Sequence, residues 1–168
     1  MRARGMSLVE IVVVIAVVGT LAVFVAPVLV RALGAYDAMD RSVATYGKMR
    51  YAMERLGREL REVRRDPGNA ANYHFTAMGA AAASFFKTDG TQVSVGSGAG
   101  AVTLAYAGTG SGILTDGVSA FALAYFQSDG VTAASGPGDV AFVEVSLTLT
   151  DGATSYANRL RVHLKNAS

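Results

Sequence analysis

Gly5-Met6-Ser7-Leu8-Val9-Glu10 leads straight into an uncharged, strongly apolar run from Ile11 to Val30. At ~1.5 Å per helical residue that run is ~30 Å long, the thickness of a bilayer's hydrocarbon core. A secretory signal has an apolar core of about 7–15 residues and then a small-residue cleavage site. This run is longer and lacks such a site, so it reads as one membrane-spanning helix. Arg2 and Arg4 are the only charges ahead of Glu10. By the positive-inside rule they keep the N-terminus cytoplasmic and send the remainder outward. Glu10 breaks the pattern, because a carboxylate at bilayer depth costs roughly 3 kcal/mol on insertion scales and calls for a partner. The competing reading is a plain signal anchor with an accidental glutamate, but intramembrane ionisable residues are seldom idle.

Outward from the apolar run, helical periodicity continues from Arg31 to Asp66. Leu33, Tyr36, Met39, Val43, Tyr46, Met49, Met53, Leu56, Leu60 and Val63 recur at spacings of three and four and share one face. Ala, Met, Arg, Glu and Leu, all good helix formers, dominate the stretch. Asp66-Pro67-Gly68-Asn69 is expected to end it, since the residue before a proline avoids helical geometry. Together the two segments predict one helix of about 60 residues, loosened or kinked at Pro27, which lacks a backbone donor.

Residues 67–83 read as a small-residue loop anchored by Tyr73, Phe75 and Met78. The period then changes to two. Val102, Leu104 and Tyr106 alternate with small residues, as do Phe121, Leu123 and Tyr125. Val143, Val145, Leu147 and Leu149 alternate with Glu144, Ser146, Thr148 and Thr150, and Leu160, Val162 and Leu164 with Arg159, Arg161, His163 and Lys165. Each set predicts a half-buried strand. Asp89-Gly90, Asp116-Gly117, Asp129-Gly130 and Asp151-Gly152 supply turns, and Val131–Asp139 reads as a loop. A helix and strands each apolar on one side imply an α+β fold, with antiparallel strands packed across the outer half of the helix.

The N-terminal stretch resembles that of type IV pilins and the pseudopilins of type II secretion. The resemblance implies a leader, residues 1–5, cut by a prepilin peptidase between Gly5 and Met6, with Met6 then N-methylated. It makes Glu10 the filament-assembly carboxylate, pairing with a neighbouring subunit's terminal amine. Gly19 and Pro27 fall where such proteins loosen the helix. Met6 departs from the usual phenylalanine. The implied organisation is a transmembrane and assembly helix (6–30), an amphipathic stem (31–66) and a periplasmic β-rich head (67–168). Arg50 to Arg61, Gly117 to Phe121 with Tyr125, and Val143 to Leu149 with the closing Leu160–Asn166 are similar to J-class minor pseudopilins and the W-class and O-class minor pilins. The resemblance thus implies a structural subunit of the bacterial inner membrane that initiates or caps a periplasmic filament. Its partners would be other minor and major pilins or pseudopilins, the prepilin peptidase and an inner-membrane assembly platform. A minor pilin of a surface pilus, with a tip role in adhesion or DNA uptake, is the alternative.

Composition fits a membrane segment plus one modest domain. Of 168 residues 51% are hydrophobic, and there is no cysteine, so the head holds by packing and hydrogen bonds without disulfides. Residues 1–66 carry 11 Lys/Arg and 7 Asp/Glu, against 4 and 6 in 67–168. A basic stem and mildly acidic head suggest complementarity between subunits rather than nucleic-acid binding. The charges from Glu54 to Arg65 read as a solvated flank with i,i+4 pairs Glu54–Arg58, Arg55–Glu59 and Arg58–Glu62; a docking surface is the sharper alternative. Between Asp129 and Asp139 only Thr132 and Ser135 add side-chain oxygens, too few for calcium, so no metal or other cofactor is expected. His74 is expected to pack, and His163 to be exposed. No nucleophile–base set, carboxylate pair or phosphate loop appears, which excludes the enzyme classes those motifs serve.

Overall fold

The computed structural model describes residues 7–165. Its first element is α1, Leu8–Arg61, and ten strands follow: β1 (Arg65–Asp66), β2 (Asn69–Tyr73), β3 (Phe75–Met78), β4 (Ala82–Phe86), β5 (Gln92–Gly98), β6 (Ala101–Tyr106), β7 (Gly110–Asp116), β8 (Val118–Phe126), β9 (Phe142–Asp151) and β10 (Thr154–His163). The chain divides into two compact units between Ser42 and Val43. The first is helix throughout its described length from Leu8. In the second, the C-terminal part of α1 packs on antiparallel sheets, an α+β arrangement of pilin-like type.

Three sheets make up the strand portion. β1 and β2 pair as a short ribbon; β3 to β7 form a five-stranded meander in sequence order; β8, β9 and β10 form a three-stranded one. All pairs are antiparallel, as the connections of a few residues require everywhere except between β8 and β9, which a longer loop joins. The chain crosses from the five-stranded to the three-stranded sheet at Gly117, the single residue between β7 and β8. Gly117 has φ +68°, and a Cβ there would lie 3.3 Å from the Thr150 carbonyl oxygen. Its own carbonyl accepts from the Thr150 N–H at 2.8 Å. Only glycine meets both the backbone sign and the close approach without strain.

Helical spacing explains the core. Met49, Ala52, Met53, Leu56 and Leu60 are buried on one side of α1. They meet Phe85, Val93, Val95, Val102 and Leu104 from the five-stranded sheet, and Leu123, Val143, Val145, Leu147, Leu149 and Val162 from the three-stranded one. Each such large apolar side chain contributes about 1.5–3 kcal/mol on burial. The inward residues of β9 alternate as its sequence predicts. Leu33, Tyr36, Met39 and Val43, on the same periodic series, are instead exposed, and Tyr46, also largely exposed, meets the sheets through the Tyr156 ring at 4.8 Å. The apolar stripe therefore outruns the sheets that cover it.

Two sequence expectations are corrected. Residues 67–83 are not a loop: they contain β2, β3 and the start of β4, with Tyr73 and Phe75 buried. α1 also stops at Arg61 rather than at Asp66. The backbone beyond it is taken by strand-like pairing, with Val63 bridged to Lys87, the Arg64 N–H donating to the Phe86 carbonyl at 2.9 Å and the Thr88 N–H to the Glu62 carbonyl at 3.0 Å. Sheet hydrogen bonds displace the last helical turn before Pro67 is reached.

Candidate functional site

The N-terminal site begins with a helix cap. Ser7 precedes α1, and its carbonyl accepts from the N–H groups of Glu10 (3.0 Å) and Ile11 (3.2 Å). Its hydroxyl also accepts from the Glu10 N–H at 3.3 Å. Ser7-Leu8-Val9-Glu10 is thus a Ser-x-x-Glu capping pattern, in which a serine side chain satisfies an orphan N–H of the first turn. Sequence reading overlooked this local role for Ser7, although the four-residue spacing is its signature. Glu10 is the only acidic residue in the first turn, the end where a helix dipole favours negative charge. Gly5 and Met6 lie outside the described residues.

Downstream of Glu10 the helix is long and apolar enough to cross a membrane. Its best 18-residue window has a mean hydropathy of 2.9, and none of that window is buried. Thr20 hides its hydroxyl by donating to the carbonyls of Ala16 (3.0 Å) and Val17 (2.8 Å). A Cβ built on Gly19 would meet nothing within 4 Å, so in the single chain no contact demands glycine there. Pro27 lies inside α1; its missing N–H leaves the Val23 carbonyl without the usual helical donor.

A second constellation lies where α1 meets the five-stranded sheet. Glu59 is only 2% exposed. Its Oε1 lies 3.0 Å from the Arg55 guanidinium and accepts from the Tyr106 hydroxyl at 2.8 Å. Its Oε2 faces the Lys87 ammonium at 3.1 Å, a charge contact without good hydrogen-bond direction. Lys87 reaches Glu62 at 2.7 Å as well. Arg55 in turn donates to Tyr106 at 2.6 Å. The Arg55–Glu59 pair matches the i,i+4 expectation, but it is not on a solvated flank: Lys87 and Tyr106, distant in sequence, close over it. Glu54 pairs with Arg50 (2.7 Å) rather than Arg58, and Glu62 with Lys87. The hydrogen bond to Glu62 leads in raising the Lys87 pKa, helped by Glu59 against burial. Burial is the main cause raising that of Tyr106. The arrangement neutralises a carboxylate and locks helix to sheet.

Other titratable groups behave as packing and turn residues. His74 stacks on Phe86 at 4.4 Å, and its Nδ1 accepts from Arg64 at 3.2 Å. His163 is exposed and stacks on Phe142. Asp129 accepts from the N–H groups of Val131 and Thr132, both at 2.9 Å, and from the Thr132 hydroxyl. Its oxygens close a turn, as the Asp-Gly signature predicts, and the glycines of all four Asp-Gly pairs have positive φ. Among the described residues no group of three or more His, Asp or Glu is placed to hold a metal ion. No protein-family profile matches the chain, and no curated protein matches it.

Proposed function

We propose that this chain is a minor pseudopilin or minor pilin, an inner-membrane subunit that helps initiate or cap a periplasmic filament of type II secretion. The supporting observation is the combination within one helix. Glu10 stands in its first turn, a bilayer-length apolar surface follows with nothing buried, and the far end is built into a β-rich head. A side-by-side bundle of such helices supplies the burial that the single chain lacks.

In this reading residues 1–5 are a leader removed by the prepilin peptidase between Gly5 and Met6, and Met6 is N-methylated. Glu10 then faces the new terminal amine of a neighbour. Opposite charges attract strongly at low dielectric, and an unpaired carboxylate there is heavily penalised, so the pair selects the register of adjoining helices. Gly19 and Pro27 give the bundled helix local freedom. The exposed Leu33, Tyr36, Met39 and Val43 extend the contact beyond the bilayer toward other minor and major subunits. An assembly platform in the inner membrane extracts the chain, with the N-terminus cytoplasmic and the head periplasmic.

Intact-mass measurement of protein extracted from the membranes of a host with an active prepilin peptidase tests the reading. The expected species lacks Met1–Gly5 and carries one added methyl group. Unprocessed chain as the sole species refutes it.

A further inference from the structure

Beside the Glu59 network, on another side of α1, a groove of about 460 Å³ runs between the helix and β10. Its apolar floor is Met53, Gly57 and Leu160. Gly57 matters to its shape, because a Cβ there would come within 2.8 Å of Leu160 Cδ2. The helix therefore approaches the strand closely and leaves a cleft above the contact. Arg50, Arg58 and Arg61 follow the helix side, and Arg159 stands on the strand side. Glu54 is the only acidic residue lining it and is held by Arg50 at 2.7 Å. Arg159 reaches Glu144 at 3.4 Å, but that carboxylate is also held by Arg161 at 2.7 Å.

Arg58 is exposed, and its two nearest acids on the helix, Glu54 and Glu62, are engaged by Arg50 and Lys87. Among the described residues Arg58 has no ion pair. The strand wall is also an edge: β10 pairs with β9 on one side only. An edge strand offers backbone hydrogen bonds to an extended chain, while Arg58 offers a cation with hydrogen-bond donors to a carboxylate. From Arg50 to Arg61 the helix side measures ~16 Å, room for about five residues of extended chain. No aromatic ring lines the groove to stack on a base, as single-stranded nucleic acid requires.

We propose that this groove is a docking site for an acidic, extended polypeptide segment of a partner protein, with a carboxylate on Arg58. The site is separate from the N-terminal helix contacts. Its failure leaves the assembly reading standing, because peptide binding is read on the isolated chain.

The test uses the full chain in detergent micelles and fluorescence anisotropy at about 0.15 M salt, where charges more than about 8 Å apart are largely screened. The probe is a labelled peptide of about eight residues alternating glutamate and threonine, long enough to overrun the groove. A lysine–threonine peptide and a single-stranded DNA of the same length serve as comparisons. The glutamate peptide binds and the lysine peptide does not. Arg58→Glu weakens binding by about tenfold or more and Arg58→Lys restores most of it, as loss and return of a charge-assisted contact require. Lys48→Glu, on the same helix but outside the groove, leaves binding within about twofold. Circular dichroism verifies that each variant is folded. Absence of glutamate-peptide binding, equal weakening by Lys48→Glu and Arg58→Glu, or tighter binding of the DNA would each overturn the proposal.

Discussion

Replacing Lys87 with methionine isolates the energetics of the buried carboxylate. Glu59 is 2% exposed, and its Oε2 has Lys87 at 3.1 Å as its charged neighbour, whereas its Oε1 keeps Arg55 and Tyr106. Removing one partner of a buried pair costs about 3–5 kcal/mol when the remaining charge is left alone. Here Arg55 still offsets about half of it, so about 1.5–2.5 kcal/mol is expected, near the cost of one unsatisfied buried acceptor with charge. Glu59→Gln should cost less, about 1 kcal/mol, because Lys87 retains Glu62 at 2.7 Å and Arg55 retains Tyr106 at 2.6 Å. The double variant Glu59→Leu with Lys87→Met removes the buried charge and its partner together, and should be more stable than Lys87→Met alone. Urea unfolding of a fragment beginning at Arg31, followed by circular dichroism, measures all three. With slopes of about 1–3 kcal/mol per molar urea, Lys87→Met should lower the midpoint by roughly 1–2 M. If Glu59→Gln is the more damaging single change, or if the double variant is no more stable than Lys87→Met alone, the buried-charge account fails.

Gly117→Ala should destabilise the same fragment by about 1–2 kcal/mol, since alanine must adopt φ +68° with its Cβ 3.3 Å from the Thr150 carbonyl oxygen; an unchanged melting temperature would refute the crossing-point argument. Asp129 has its pKa held below the ordinary aspartate value, chiefly by the Thr132 hydroxyl and then by the N–H groups of Val131 and Thr132. A depressed folded value means this contribution is present above the ordinary aspartate pKa and lost as pH falls through the folded value. Asp129→Asn should flatten that limb of the stability–pH curve, and an identical limb in both proteins would contradict it.

Much of the fold was legible because it follows from simple periods. The three- and four-residue spacing from Met49 to Leu60 marks the buried helix face, and strict alternation marks β9. The ribbon and β4 escaped because Asn69-Ala70-Ala71-Asn72 and Ala82-Ala83-Ser84 offer small residues with little apolar contrast. Their strand geometry comes from neighbours supplied by the rest of the sheet. The early end of α1 has the same origin, since Lys87 and Phe86 claim backbone groups that local propensity assigns to the helix. Glu59 looked solvated because a helical charge pattern carries no information about Lys87 and Tyr106. The cap at Ser7 was local and readable. The value of Arg58 was not, because it depends on which cation captures Glu54 and Glu62.

Glu10→Gln separates the proposed role of Glu10 as an assembly carboxylate from a role in capping the helix. Glutamine preserves the Ser-x-x-Gln capping pattern and the side chain's size while removing the anion. The most direct measurement is crosslinking yield between this chain and neighbouring subunits in the native membrane, with protein level and membrane insertion measured in parallel. The account predicts that Glu10→Gln and Glu10→Ala both insert at least as well as the parent chain, since an intramembrane charge is gone. Both should lose most of the intersubunit crosslinks, because a neighbour's terminal amine has lost its counter-charge. Crosslinking at the parental level in both variants would contradict the account.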